Sequence, residues 1–320
     1  MKSVNLSCAG DNANTGIQSC SWTPSNITGA ILIPANKTYT VADVATLWTT
    51  LQADTVDDVA SNRIYPIGAF KAIEDKSSDV QIESDGYGGK SFVRDGDYEW
   101  MFEYKNGFCF YQKLRTFHTK NTSFKVLFID EVNNTLWGTE DANGDLAGFS
   151  LELLIVPNIK INTGSNSTKY YVSFGLSDPT EMNDNTYTVS FPNNQKLMKL
   201  AGLKDIELTV STTDYSTETL TATVKSSCGA EDLVSLYPTE ITTIGAGSIW
   251  DIYNETDGNS VLITACTSNP ATGVVTITVD QMYISVGAKL SVSIGTIQQM
   301  ENAGIIGFSN TKKVTSIVVP

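Results

Sequence analysis

Apolar residues recur at every second position through most of the middle of the chain. The runs "RIYPIGAFKAI" (63–73), "SFKVLFID" (123–130), "FSLELLIV" (149–156), "KYYVSFGL" (169–176) and "TYTVSF" (186–191) all carry this period. A period of two places alternate side chains on opposite faces of a strand. Asp95-Gly96, Asn106-Gly107, Asn143-Gly144 and Asp178-Pro179 separate the runs with turn chemistry. One segment breaks the pattern. In "TVADVATLWTTLQAD" (40–54), Val44, Leu47, Trp48 and Leu51 fall at i, i+3, i+4 and i+7, which predicts a helix with Thr40 as N-cap. A second, short helix is expected over 195–203.

The run "SFVRDGDYEWMFEYKNGFCFYQKLRTF" (91–117) sets Tyr98, Trp100, Phe102 and Tyr104 at alternate places, with Asp97, Glu99, Met101 and Glu103 between them. It reads as a hairpin. A two-residue loop at Asn106-Gly107 would set Trp100 opposite Lys113 and Tyr98 opposite Arg115. A loop of Lys105-Asn106-Gly107, with Gly107 left-handed, instead pairs Tyr104 with Phe108, Phe102 with Phe110 and Tyr98 with Leu114. Its reverse face then matches Glu99 with Lys113 and Asp97 with Arg115, which favours this register. The aromatic face is expected to be core and the charged face solvated. A sugar-stacking platform is the competing reading of the same rings, with Trp100 or Trp137 as its surface.

Residues 1–38 are rich in Asn, Gly, Ser and Thr, interrupted by the apolar run "AILIP" (30–34). This reads as an extended N-terminal assembly arm with one short strand. Such an arm buries too little to offset its own ordering entropy and is expected to order on a neighbour's sheet edge. Near residue 204 the composition shifts to short Thr/Val/Ile strands that run to Pro320. The organisation expected is therefore an arm (1–38), a β-rich core with one flanking helix (39–203), and an immunoglobulin-like β-sandwich (204–320) with Trp250 available for its core. The fold class is mainly β, a sandwich or barrel core followed by that second sandwich.

The chain has 320 residues, 41% of them hydrophobic, and a formal net charge of −14. No basic patch is visible, so sequence-specific nucleic-acid binding is not expected. An acidic surface instead suits a wall past which DNA slides. The opening residues lack an apolar signal core and no run is long enough to span a membrane, so synthesis in a cytoplasm is expected. The five cysteines, Cys8, Cys20, Cys109, Cys228 and Cys266, match no zinc spacing. They are read as reduced thiols, with a Cys8–Cys20 bridge as the alternative in oxidising surroundings. Asn-x-Ser/Thr sequons such as Asn26-Ile27-Thr28 follow from composition.

Candidate chemistry is thin. Asp141, Asn143, Asp145 and Glu152 stand at positions 1, 3, 5 and 12 of a calcium loop, but Leu146 occupies the position that needs glycine. His118 is the single histidine, and no G-x-S-x-G elbow accompanies it. Asp57/Asp58 and Glu231/Asp232 are paired carboxylates of the kind a glycosidase needs in a cleft. "GYGGK" (86–90) lacks the spacing of a phosphate loop. No catalytic, cofactor-binding or metal-binding residue is assigned, and the chain is read as non-enzymatic.

The stretches "NRIYPIGAFKAIEDKSSDVQIES" (62–84), "GFSLELLIVPNIKINTGS" (148–165) and "KYYVSFGLSDPTEMNDN" (169–185), with the Cys/Asn/Gly-rich start, carry a resemblance. They resemble virion structural proteins of tailed phages of gut Bacteroidota, including crAss-like phages. The resemblance covers about residues 1–200. It implies a structural virion protein that self-assembles as a homo-oligomeric ring or array, with a major tail-tube role first and a capsid auxiliary, head-fibre or neck role as the alternative. Implied partners are copies of itself and other virion proteins, with passive contact with passing DNA and no membrane. A carbohydrate-binding surface module is the reading from a different class.

Overall fold

The computed structural model describes residues 2–4, 24, 26–84, 86–162, 164, 167–214, 216, 218–228, 231–309 and 315–319. The chain is mainly β and divides into two compact units, Met1–Gly202 and Leu203–Pro320.

The first unit contains strands β1 (Lys2–Val4), β2 (Ile27–Pro34), β3 (Thr38–Tyr39), β4 (Tyr65–Ile67), β5 (Phe70–Asp75), β6 (Gln81–Ser84), β7 (Lys90–Arg94) and β8 (Glu99–Tyr104). It continues with β9 (Phe124–Asp130), β10 (Thr135–Glu140), β11 (Leu146–Ala147), β12 (Phe149–Ile155), β13 (Tyr170–Leu176) and β14 (Thr186–Ser190). Helices α1 (Val44–Thr55), α2 (Gly107–Leu114) and α3 (Pro179–Asn183) lie between them. The sheet branches at β9. One edge of β9 pairs β2, and the other pairs β12 through Lys125 and Val126 but β10 through Phe128 to Asp130. One branch continues β10-β14-β1 and the other β12-β13-β8-β5.

Branching encloses two cores on opposite faces of β2 and β9. Ala30, Leu32, Val126 and Phe128 point into an aromatic core with Trp100, Phe102, Tyr104, Trp137, Phe149 and Phe174. Ile31, Ile33, Leu127 and Ile129 point the other way, against α1 and β14. This corrects the reading of residues 1–38. The run "AILIP" belongs to an eight-residue strand buried on both faces. A strand covered on both faces reads as a continuous apolar run rather than an alternation. Elsewhere in the expected arm, β1 pairs with β14 of its own chain and the turn after β2 leads through Lys37 into β3, while residues 5–23 and 25 lie outside those described.

Helix α1 starts later than expected. Asp43, not Thr40, is the N-cap, and its carboxylate accepts the Thr46 N–H at 2.8 Å. Val44, Leu47 and Leu51 are buried, as the 3.6-residue period required. The end of α1 is tied back by Asp54, which accepts the Tyr39 hydroxyl at 2.9 Å and pairs with Lys37 at 2.7 Å. The segment expected as a helix over 195–203 holds only a 3-10 turn, Leu197–Lys199.

The expected hairpin is half right. Trp100, Phe102 and Tyr104 are buried, so the row is core. Gly107 is left-handed (φ 81°), as the loop required. However, the chain then enters α2, so Phe108, Phe110 and Leu114 do not face β8 across a ladder. Strand β8 pairs β13 and β5 instead. Phe110 and Leu114 are four residues apart and pack on the aromatic core from the helix. The reverse face of β8 is not a solvated layer either: Met101 and Glu103 are buried.

The second unit comprises β15 (Lys204–Asp214), β16 (Thr219–Ser226), α4 (Leu233–Leu236), β17 (Trp250–Asn254), β18 (Asn259–Ser260), β19 (Ile263–Asn269), β20 (Val274–Val279), β21 (Lys289–Ile294), α5 (Ile297–Asn302), β22 (Phe308–Ser309) and β23 (Thr315–Val318). Its sheets run β19-β20-β16-β15-β22 and β18-β17-β21-β23. Alternate residues of both, including Leu220, Val224, Ile277, Ile252, Leu290 and Val292, fill one shared core. Trp250 is buried there and donates its indole N–H to the Ile241 carbonyl at 2.7 Å.

A single side chain pins the loop after β14 in the first unit. Asn134 adopts φ 47°, a conformation asparagine tolerates better than most residues. Its amide nitrogen lies 3.0, 3.1 and 2.9 Å from the carbonyls of Phe191, Pro192 and Gln195, and its oxygen accepts the Leu197 N–H at 3.1 Å. Asn134→Ala loses these bonds and strains the backbone, so urea unfolding is expected to give a stability loss of about 2–4 kcal/mol. Asn134→Gly, which keeps the backbone easy, is expected to recover only part of that loss.

Candidate functional site

Most of the residues weighed for chemistry make local structural contacts. Asp141 closes a hairpin turn, accepting the N–H groups of Asn143 and Asp145 at 2.8 Å each. The hydrogen bond from the Asp145 backbone is the main cause holding its carboxyl below the usual range. Glu152 points to solvent from β12. Among the described residues, no group of three or more His, Cys, Asp and Glu side chains is arranged to hold a metal ion.

His118 accepts the Val156 N–H on Nδ1 at 3.1 Å and so caps the end of β12. Asp57 accepts the Val59 N–H at 2.8 Å in the turn after α1. Glu231 pairs with Lys204 at 2.6 Å, while Asp232 caps α4 through the Val234 N–H at 3.0 Å. Asp57, Glu231 and Asp232 thus each serve a separate local contact. An open hollow of about 370 Å³ lies between the start of α1 and the loop after β14, lined by Val44, Ala45, Ser190, Phe191, Pro192 and Gln195. Its lining carries no carboxylate.

The aromatic row cannot stack a ligand. Trp100 and Trp137 keep 8% and 6% of their surfaces exposed, and their rings face Phe128 and each other at 5.2–6.0 Å. Tyr98, at the open end of the row, donates its hydroxyl to Asn183 at 2.6 Å.

The free surfaces are more informative. "GYGGK" is the tip of a two-stranded ribbon, β6–β7, which the sequence reading did not assign. Ile82 pairs with Phe92, while Gln81 pairs with Arg94 and Glu83 with Ser91. Alternation therefore puts Ile82 and Phe92, with Ser84 and Lys90, on one face and Glu83 and Ser91 on the other, and the register shifts between Gln81 and Ile82. Ile82 is 60% and Phe92 64% exposed, with Val80 and Val93 also exposed. An isolated two-stranded ribbon is marginal in water unless something packs against its apolar face. Its base is well fixed: Lys76 and Ser78 donate to the Glu99 and Asp97 carbonyls at 2.8 and 2.9 Å. A Cβ on Gly96 would lie 1.9 Å from the Ser78 carbonyl oxygen, so only glycine allows this crossing. The available signal was the alternation of Val80 and Ile82 before a glycine-rich turn, with Phe92 after it.

Glu103 sits nearly buried on the reverse face of β8 between Lys169 at 2.9 Å and Lys71 at 3.6 Å. Cysteine chemistry also departs from expectation. Cys109 and Cys228 are disulfide-bonded rather than reduced. Cys266 is free, its thiol pushed up to about 11 by burial. Cys8 and Cys20 lie outside the described residues.

No protein-family model matches the sequence, and no curated protein matches it at a significant level.

Glu103 offers a pH test. Burial raises its carboxyl, but hydrogen bonding and charge from Lys169, with Lys71, outweigh burial and hold it below the ordinary range. A carboxylate with a depressed folded value stabilises fully above its unfolded value, near 4.3, and loses that contribution as pH falls through the folded value. Thermal melts between pH 7 and 2 are therefore expected to show an acid-dependent loss in the wild type that is smaller in Glu103→Gln.

Proposed function

We infer that the chain is a non-enzymatic structural subunit that assembles with copies of itself through exposed β elements. The observation that carries this reading is the amphipathic β6–β7 ribbon. Its apolar face is solvent-exposed, and its geometry is fixed at the base. A second copy is the occupant favoured by charge. Within residues 76–94, Lys76, Lys90 and Arg94 balance Asp79, Glu83 and Asp85, 3 − 3 = 0, so the net −14 of the chain resides outside the ribbon. A neutral ribbon with an apolar face can approach an acidic copy without the repulsion that two acidic surfaces meet.

The buried aromatic row and the structural use of the candidate carboxylates support a scaffold over a carbohydrate-binding module or a hydrolase. The resemblance to virion proteins of tailed phages supplies the setting: a major tail-tube protein, with a capsid auxiliary, head-fibre or neck position in the same class. In that setting the second unit, read as an immunoglobulin-like sandwich, is a domain displayed outward. The acidic balance suits a lumen that passing DNA does not grip. Oxidised cysteines suit a particle that leaves the reducing cytoplasm.

Negative-stain microscopy and light scattering test the reading. The full chain is expected to form rings, tubes or arrays at high concentration, and Ile82→Asp with Phe92→Asp is expected to leave folded monomers. A wild-type chain that stays monomeric at high concentration contradicts it.

A further inference from the structure

The sheet β18-β17-β21-β23 of the second unit turns Ile252, Leu290 and Val292 into the core. Alternation turns Asp251 and Tyr253 of β17 and Lys289, Ser291 and Ser293 of β21 outward. The register sets these side chains in rows. Tyr253 stands directly between Ser260 of β18 and Ser291 of β21, and Asp251 stands opposite Ser293. Just past Tyr253, Glu255 pairs with Lys289 at 2.7 Å. Of these residues only Tyr253 carries a ring, and it is 42% exposed. Among the described residues, none bonds the side chains of Asp251, Ser260 or Ser293. Ser291 makes only a long bond, 3.5 Å, to the Tyr253 carbonyl.

The setting of the ring is fixed. A Cβ on Gly258 would lie 3.7 Å from the Tyr253 hydroxyl, so the ring reaches over the turn after β17. That turn is pinned by Asn254, which is fully buried. Its amide nitrogen donates to Asp257 at 2.8 Å and to the Tyr283 carbonyl at 2.9 Å. Its oxygen accepts the Thr256 and Asp257 N–H groups at 3.0 and 3.2 Å. A ring held on a strand beside a pinned turn loses little freedom when a ligand arrives.

Size and charge select the ligand. A stable protein contact covers about 800 Å² on each side, far more than one ring among short polar side chains supplies. A sugar ring is the right size. A hexopyranose has an apolar face of C–H groups and a rim of hydroxyls. Its apolar face stacks on an aromatic ring, and its rim needs hydrogen-bonding groups beside that ring. Ser260 and Ser291 flank Tyr253, and Asp251 with Ser293 lies one row away. Two carboxylates, Asp251 and Glu255, against one ammonium, Lys289, leave the patch net negative. That charge disfavours sialic and uronic acids and leaves neutral sugars.

We propose that this outer face is a binding subsite for a neutral hexopyranose, with Tyr253 as the stacking ring and Asp251, Ser260, Ser291 and Ser293 as its hydrogen-bonding rim. The site is separate from the buried Trp100 and Trp137 and from the β6–β7 ribbon, so it does not rest on the self-assembling reading.

The test probes an array of neutral, sialylated and uronic-acid glycans with the labelled full chain. Binding to neutral hexose glycans, and not to acidic ones, is expected. Calorimetry with the soluble oligosaccharide of the bound glycan then compares variants. Tyr253→Ala, shown by circular dichroism and an unchanged melting temperature to be folded, is expected to weaken binding by about tenfold or more. Tyr253→Trp is expected to retain binding, and Asp251→Asn to weaken it less than Tyr253→Ala. No binding to any glycan, binding only to acidic glycans, or binding that Tyr253→Ala leaves unchanged overturns the proposal. Loss of self-assembly in Tyr253→Ala with no glycan bound also overturns it and makes the face a contact between copies. The chain carrying Ile82→Asp and Phe92→Asp is expected to bind the same glycans, so a failure of the assembly reading leaves this readout intact.

Discussion

The first unit depends on one ring. Phe128 stands on β9 at the point where the sheet branches, and its ring meets those of Trp100, Phe102, Trp137, Phe149 and Phe174 at 5.2–6.0 Å. These five residues come from β8, β10, β12 and β13, on both branches. Phe128 therefore packs β10, on one branch, against β8, β12 and β13, which are paired in sequence on the other. Ring pairs in offset or edge-to-face geometry add about 0.5–1.5 kcal/mol each beyond their burial. The row on β8 is one wall of this packing, which is why its rings are unavailable to a ligand.

Burial on both faces follows from the same branch. Because β2 and β9 separate two cores, their side chains are apolar at successive positions rather than alternate ones. The polar chemistry is correspondingly displaced to turns and edges. Asn134, Asp141, Asp178 and Asp232 spend their side chains on backbone N–H or carbonyl groups. Among the described residues, the ribbon's Ile82 and Phe92 stand out as apolar side chains left exposed on a paired strand.

The strands at 124–130, 149–155, 170–176 and 186–190 were legible because each is a short apolar-rich run with turn residues nearby. Helix α1 was legible because Val44, Leu47 and Leu51 repeat at helical spacing. Strand β2 was misjudged because a short apolar run set in Asn, Gly and Thr resembles an arm, and only its partners β4 and β9 make it central. Helix α2 was misjudged because Phe108 and Phe110 fit period two while Phe110 and Leu114 fit a helix, and eight residues are too few to arbitrate. The ribbon's strands had a signal in Val80, Ile82 and Phe92 around a glycine-rich turn, but its exposure and the oxidation of Cys109 and Cys228 depend on the folded surface and on spatial proximity, which a linear pattern does not carry. Of the candidate surfaces, the aromatic row was read correctly as interior, and the ribbon was not read at all.

The most direct measurement is the urea unfolding free energy of Phe128→Ala. If the ring joins the two branches as described, its removal leaves a cavity among five aromatic neighbours and lowers stability by about 3–5 kcal/mol. A loss below about 1 kcal/mol would mean that the rings are not packed as one core, and the account of an inert scaffold would fail with it.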